Sequence, residues 1–271
     1  MKFSSTITIQ YDTPFSPFPA RDCHQALDWL RDSGFDGAEV CISHYRGLDV
    51  KDFKKELDLR GLSCSNISTG QARTLEHITL LHEGVALRQA KTRLKEHIDA
   101  AKILGCKVTL GLIRGLGTPG HEQEEKAAIA RNLEEIICYA QEKQVMIILE
   151  AINRYETTLF TSAESCMNFI EKDLGNPDCV AVHWDLFHAN IEDSRLDEAI
   201  DRMGSKLQHV HLADSNRHFP GYGHLDFEAV FRKLKAVGYQ EYCSFECFNL
   251  PSPEAVKAQA GPFIRKMRQQ F

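Results

Sequence analysis

Residues 207–227 read LQHVHLADSNRHFPGYGHLDF. The first six alternate, so Leu207, His209 and His211 fall on one face of an extended segment. The run then breaks into Asp214, Ser215, Asn216 and Arg217. It passes Pro220, Gly221 and Gly223 before reaching Asp226, a residue able to cap a following helix. This is the signature of a buried strand that delivers polar side chains into an open loop. Three other apolar runs end the same way: MIILE at Glu150, VAVHWD at Asp185 and YCSFE at Glu246. The four polar ends lie 35, 26 and 35 residues apart, the spacing of a repeated strand-and-helix unit.

Outward from these runs, strands and helices alternate along the whole chain. Strands are expected at Phe3–Ile9, Ala38–Ile42, Ser63–Ser68, Lys107–Gly111, Val145–Glu150, Cys179–Asp185, Leu207–His211 and Tyr242–Glu246. Helices are expected at Arg21–Asp32, Val50–Arg60, Val85–Leu104, Glu122–Lys143, Ser162–Asp173, Leu196–Met203, Phe227–Val237 and Pro253–Gln270. Gly34, Gly61, Gly105 and Gly238 stand where a helix C-cap belongs. Thr69, Gly70 and Gln71 read as a loop, as does the glycine-rich stretch Leu112–Gly120. Eight alternations predict a parallel sheet with right-handed crossovers. The 271 residues divided by eight give about 34 per unit, which suits a single-domain α/β fold, the (β/α)8 TIM barrel, over residues 1–271. A doubly wound sheet would place a glycine fingerprint after strand 1, where YDTPFSPFP stands instead.

The hydrophobic fraction of 43% and charged fraction of 26% are those of an ordinary globular chain. A net charge of −6 without a basic cluster argues against a nucleic-acid partner. No apolar run approaches membrane-spanning length, and MKFSSTITIQYD lacks the apolar core of a signal peptide. The nine cysteines include no CxxC pair, and Cys106, Cys179 and Cys243 sit in strand-like runs. They read as reduced core residues, and the expected location is cytoplasmic.

Active sites of such barrels lie at the C-terminal ends of the strands. Strand parity aims Glu150, Asp185, His211 and Glu246 at one point. Glu246 shares a face with Ser244, Glu150 with Ile148, and Asp185 with His183. Three carboxylates cannot be desolvated together without a counter-charge, and a divalent cation supplies it. Three oxygen donors and one nitrogen suit Mn2+, Mg2+ or Co2+, with Zn2+ also acceptable. His183 and His209 fall one layer deeper and are expected as hydrogen-bonded core residues. His44, His77, His82, His97 and His121 are expected at the surface. Beyond the strand ends, Glu156, His188 and Arg217 stand six, three and six residues past Glu150, Asp185 and His211. They are within reach of a ligand on the metal.

LEAINRYET, WDLFHANIED, HVHLADSNRHFPGYGHLDF and SFEC resemble the xylose-isomerase-like barrel family of sugar isomerases and epimerases. Within it the pattern is similar to ketose 3-epimerases of the D-tagatose 3-epimerase and 5-keto-L-gluconate epimerase types. STGQA at 68–72 and GLIRG at 111–115 fit as well, so the resemblance covers nearly the whole chain. It implies one divalent ion, often Mn2+, on Glu150, Asp185, His211 and Glu246. It also implies substrate contacts from Glu156, His188 and Arg217, and Gln71 of STGQA joins them. Ala151 stands where many relatives carry proline. The implied reaction is epimerisation of a 2-keto sugar or keto-sugar acid. Glu150 and Glu246 flank the carbon beside the carbonyl from opposite faces; one removes its proton, giving an enediolate, and the other returns it.

An aldose–ketose isomerase and an inosose-type dehydratase on the same scaffold are the alternative enzymes. A metal-dependent endonuclease would need further histidines on strands 3 and 4, which end here in Thr69–Gln71 and Gly111–Ile113. The expected partner is a small keto sugar, with neither nucleic acid nor membrane; a homo-oligomer stays open. One reading concerns the substrate's far end. Arg114 is the only cation in the glycine-rich loop, and glycines 111, 115 and 117 let that backbone approach a ligand. Its planar fork suits a carboxylate, so Arg114 is expected to bind the acid group of a keto-sugar acid, the alternative being a surface arginine paired with Glu122 or Glu124.

Overall fold

The computed structural model describes all residues, 1–271. Eight parallel strands close into a barrel in chain order. They are β1 (Lys2–Thr8), β2 (Gly37–Cys41), β3 (Ser63–Ser68), β4 (Lys107–Leu110), β5 (Ile147–Ala151), β6 (Val180–Asp185), β7 (Leu207–Leu212) and β8 (Tyr242–Phe245). The (β/α)8 expectation holds, with strand ends within two residues of those read from sequence. Around the barrel lie α1 (Cys23–Ser33), α2 (Val50–Asp58), α3 (Gly70–Glu76), α4 (Val85–Leu104), α5 (Glu122–Lys143), α6 (Ala163–Asn168), α7 (Leu186–Glu192), α8 (Leu196–Met203), α9 (Phe227–Ala236) and α10 (Pro253–Gln270). No helix is long and apolar enough to cross a membrane.

Two helices escaped the sequence reading. α3 starts inside the expected loop 69–71, and α7 starts directly at the end of β6. Both span seven residues, too short for a 3.6-residue period to show. The expected helix 162–173 is α6 followed by a π-helical turn at Phe169–Asp173. Gly34, Gly61, Gly105 and Gly238 all adopt positive φ, between 69° and 84°, where a side chain would be strained.

Alternation along the strands separates two environments. Outward residues such as Ile147, Leu149, Cys243 and Phe245 are buried against the helices. There Phe245 stacks on Phe219, their ring centres 5.2 Å apart. Inward residues are mostly polar: Glu39, Asn66, Thr109, His183 and His209 hydrogen-bond to one another across the lumen. Branched apolar layers usually fill a barrel of this size. Here a hydrogen-bonded polar chain runs through the lumen instead and orients these side chains, while His183 Nε2, His209 Nδ1 and Asn66 Oδ1 keep no partner. All nine cysteines are free; Cys243 is buried as expected, while Cys106 and Cys179 are half-buried. His97 departs from the expected surface position. It lies on the inner face of α4, fully buried and 2.7 Å from the Tyr45 hydroxyl. Burial lowers its pKa to about 3, because a desolvated ring disfavours the charged form.

Candidate metal centre and substrate cavity

Four strands bring Glu150, Asp185, His211 and Glu246 together. One ligand-type atom from each lies within 4.8 Å of every other. Register does this directly: Asp185 on β6 is opposite His211 on β7, and His211 is opposite Ser244, two residues before Glu246. His211 Nδ1 sits 3.3 Å from Glu246, 3.5 Å from Asp185 and 3.9 Å from Glu150. It has no hydrogen-bond partner, and neither does Asp185 Oδ2. A buried ring nitrogen and a buried carboxylate oxygen, both unpartnered and facing two further carboxylates, fit a divalent cation.

Asp185 serves two structures at once. Its Oδ1 accepts from the backbone of Phe187 at 2.7 Å and His188 at 3.4 Å. That caps α7 and leaves Oδ2 free toward the centre. The electrostatics agree with a missing positive charge. Burial, then Glu246, push the Glu150 carboxyl up to about 8, with Asp185 adding to both. Burial alone would depress His211, but Glu39 and Glu246 override it and hold the ring well above its usual value.

The sequence reading missed Glu39. It lies mid-strand on β2, wholly buried, and crosses the lumen to β7. Its carboxylate meets His209 Nε2 at 2.8 Å and His211 Nε2 at 3.0 and 3.1 Å. Asn66 and Ser68 donate to its Oε1. Desolvation would raise this carboxyl, yet His211 and His209 hold it well below the ordinary carboxylate range. His209 is thus the hydrogen-bonded core residue expected, and so is His183, 3.2 Å from the Thr109 hydroxyl.

Above the cluster opens a cavity of about 360 Å³. Glu150, Glu156, His188, Arg217, Glu246 and Gln71 all line it. Gln71, on α3, donates to the Tyr11 carbonyl at 2.8 Å, and its Oε1 has no partner. The side-chain amide of Asn153 points at His188 Nδ1 from 2.7 Å. Burial keeps that imidazole neutral, so Nε2 carries the hydrogen and His188 is a neutral donor. Glu156 reaches His188 only through this asparagine. Arg217 donates to Glu156 at 3.0 Å and Glu246 at 3.4 Å. Its guanidinium lies 4.6 Å from the centre of the Phe15 ring and 4.9 Å from that of Phe187, close enough for the ring faces to attract the cation. The loop carrying it winds around Asp214, whose carboxylate collects backbone N–H groups of Ser215, Gly221 and Leu225. A Cβ on Gly223 would lie 2.2 Å from Asp214 Oδ1, so only glycine fits there.

Arg114 corrects one expectation. It is fully buried and does not line the cavity, nor does it pair with Glu122 or Glu124. Residues 112–114 form a 3-10 turn that folds the side chain beneath the rim. There the guanidinium donates to the carbonyls of Leu159 at 3.1 Å and Leu110 at 3.4 Å, above the Phe160 ring. Gly111 lines the cavity, where a Cβ would meet Glu150 Oε2 at 2.7 Å, while a Cβ on Gly115 would meet Leu81. Arg114→Met should therefore cost stability, about 1–3 kcal/mol for two carbonyls left without a donor. It should leave the KM for acidic and neutral sugars equally unchanged. Thermal melts and steady-state kinetics check this; an unaltered melt with a selective rise in KM for acids would restore the first reading.

The comparisons with known proteins point the same way as the fold. A family model described as xylose isomerase-like TIM barrel matches residues 27–267. An L-ribulose 3-epimerase from Mesorhizobium japonicum is 32% identical over 233 residues, covering 84% of this chain and 76% of the relative. A D-psicose 3-epimerase from Enterocloster bolteae is 27% identical over 236 residues, covering 84% and 77%. A solved L-ribulose 3-epimerase superposes with a TM-score of 0.83 at 25% identity, covering 99% of this chain and 96% of that one. With a matched model spanning nearly every strand and helix, this chain belongs to the xylose isomerase-like TIM-barrel family.

Proposed function

We propose that the protein is a divalent-metal-dependent ketose epimerase that inverts the carbon next to the carbonyl, C3 of a 2-ketose. The observation that carries this reading is the placement of Glu150 and Glu246. Both line the cavity while also facing His211 Nδ1, so the two carboxylates would border one reacting carbon. The relatives named above, both 3-epimerases, support the same position on the sugar.

Glu150, Asp185, His211 and Glu246 would hold one ion, with Mn2+ the best match to three carboxylates and one imidazole. When bound, that ion polarises the substrate carbonyl and acidifies the neighbouring C–H. The side chains do the rest. A carboxylate oxygen of Glu150 takes the proton from one face, and Glu246 delivers a proton to the other. His188 Nε2–H, a neutral donor, is directed at a sugar oxygen. Arg217 keeps Glu246 and Glu156 apart and in place, so the second base is oriented before substrate arrives. Phe15, Leu75, Leu112 and Ile152 offer apolar surface to the C–H face of the sugar.

The cavity favours a neutral ketose over a keto-sugar acid. Asp12, Glu150, Glu156 and Glu246 line it, and its single guanidinium, Arg217, is already paired with two of them. With the ion taken up by the carbonyl end, a substrate carboxylate would meet Asp12 and Glu156 without a free side-chain cation.

Turnover in D2O tests the two-base reading. The product should carry one solvent deuteron at the inverted carbon and none at its neighbours. Inversion without deuterium would eliminate the two-base scheme. Deuterium at C2 of an aldose product, or at C1 of recovered ketose, would instead indicate an aldose–ketose isomerase.

A further inference from the structure

The geometry assigns Glu39 as the positioning residue of the metal centre: its carboxylate holds the hydrogen of His211 on Nε2 and thereby keeps Nδ1 aimed at the three carboxylates, open to an ion. This rests on the metal-dependent reading above and concerns a residue from the opposite half of the barrel.

Three observations combine. First, Glu39 is wholly buried, with His209 on Oε2 at 2.8 Å, Asn66 on Oε1 at 3.2 Å, and Ser68 also on Oε1. A carboxylate surrounded by donors accepts only, so the His211 nitrogen 3.0 and 3.1 Å from its two oxygens must be the donor. Second, the other nitrogen of that ring, Nδ1, is unpartnered while lying 3.3 Å from Glu246, 3.5 Å from Asp185 and 3.9 Å from Glu150. One ring thus donates on the lumen side and offers its second nitrogen to an ion on the cavity side. Third, the carboxylate cannot turn away. Donors from β3 and β7 hold both of its oxygens, and Thr109 fixes Asn66 in turn at 2.6 Å. A carboxylate behind a metal-bound histidine fixes its tautomer and ring direction and raises its basicity, worth about 10–100-fold in ion affinity.

The wild-type chain carries the first test. With 15N-histidine labelling and diamagnetic Mg2+ or Zn2+ bound, His211 should show a slowly exchanging, strongly downfield proton on Nε2. A proton on Nδ1, with the ion on Nε2, overturns the inference. The second test is Mn2+ titration followed by the electron paramagnetic resonance of the free ion. Glu39→Gln keeps the shape but turns an acceptor-only group into one that also donates, and Glu39→Asp keeps the charge but withdraws it from the ring. Each folded variant should bind Mn2+ about 10–100-fold more weakly, with turnover partly recovered at saturating Mn2+. A residue with only a packing role would lower the melting temperature of the ion-free chain and leave the affinity of the folded protein alone. Affinity within about twofold of wild type in either variant overturns the inference, being far short of the loss such a partner should cause. If the variants do not fold, the wild-type spectrum decides. A wild-type chain that takes up no divalent ion at all removes the metal reading itself, a result distinct from both.

Discussion

Asp185→Ala should lower turnover by about a thousandfold or more, because several kcal/mol of carbonyl polarisation depends on an ion the site can no longer hold. The same change removes the oxygen that caps α7, at a cost of about 1 kcal/mol of stability. His188 sits in the first turn of that helix, so its donor group loses its alignment together with the ion. Metal analysis, turnover and a thermal melt separate these effects; full ion content with full turnover would remove Asp185 from the site. The wild type carries a matching pH signature. Glu150, pushed up to about 8 by burial and its acidic neighbours, binds a proton below that pH when no ion is present. An ion must displace that proton. His211, held well above its usual value, must lose its second proton as well, so affinity should rise with pH through about 8 and fall as pH drops below it, by up to about tenfold per unit for each proton displaced.

The second large effect belongs to the two bases. Glu150→Gln and Glu246→Gln should each cut net inversion by about 10²–10⁴-fold, the share of a positioned acid or base. The residue left intact can still exchange the proton on its own face. Each variant should thus wash deuterium into one epimer only, and the two variants should choose opposite epimers. Proton NMR of each pure epimer in D2O reads this without requiring turnover. Exchange of the same epimer by both variants would mean that a single base works both faces.

The parts legible in the sequence share a physical reason. Glu150, Asp185, His211 and Glu246 each end an apolar run, so a polar residue at a strand terminus announced itself against its background. Glu39 does not. It sits within GAEVC, in the middle of a strand, where direction is set by a partner 170 residues away that no local pattern encodes. α7 was hidden because Asp185 reads equally well as the end of a strand and the cap of a helix, and it is both. Arg114 misled because a glycine-rich loop shows that the backbone can approach something closely, not on which side. The 3-10 turn sent the guanidinium under the rim, where carbonyls rather than a ligand receive it. His97 failed similarly: a helix has an inner face, and the polar ring lies on it.

The reach of Glu39 across the lumen also bears on how the molecule comes to exist. Its bonds to His209 and His211 join residues 170 and 172 positions apart. Such contacts are among the last that a folding chain can make, since the intervening loop must be closed before they form. An array of β5 to β8 alone would contain every expected ligand and still lack the group that turns His211 toward them. On the proposed metal reading, competence to bind a divalent ion tightly would be a property of the closed barrel, and tight ion uptake during refolding is expected only once the first and last thirds of the polypeptide have met.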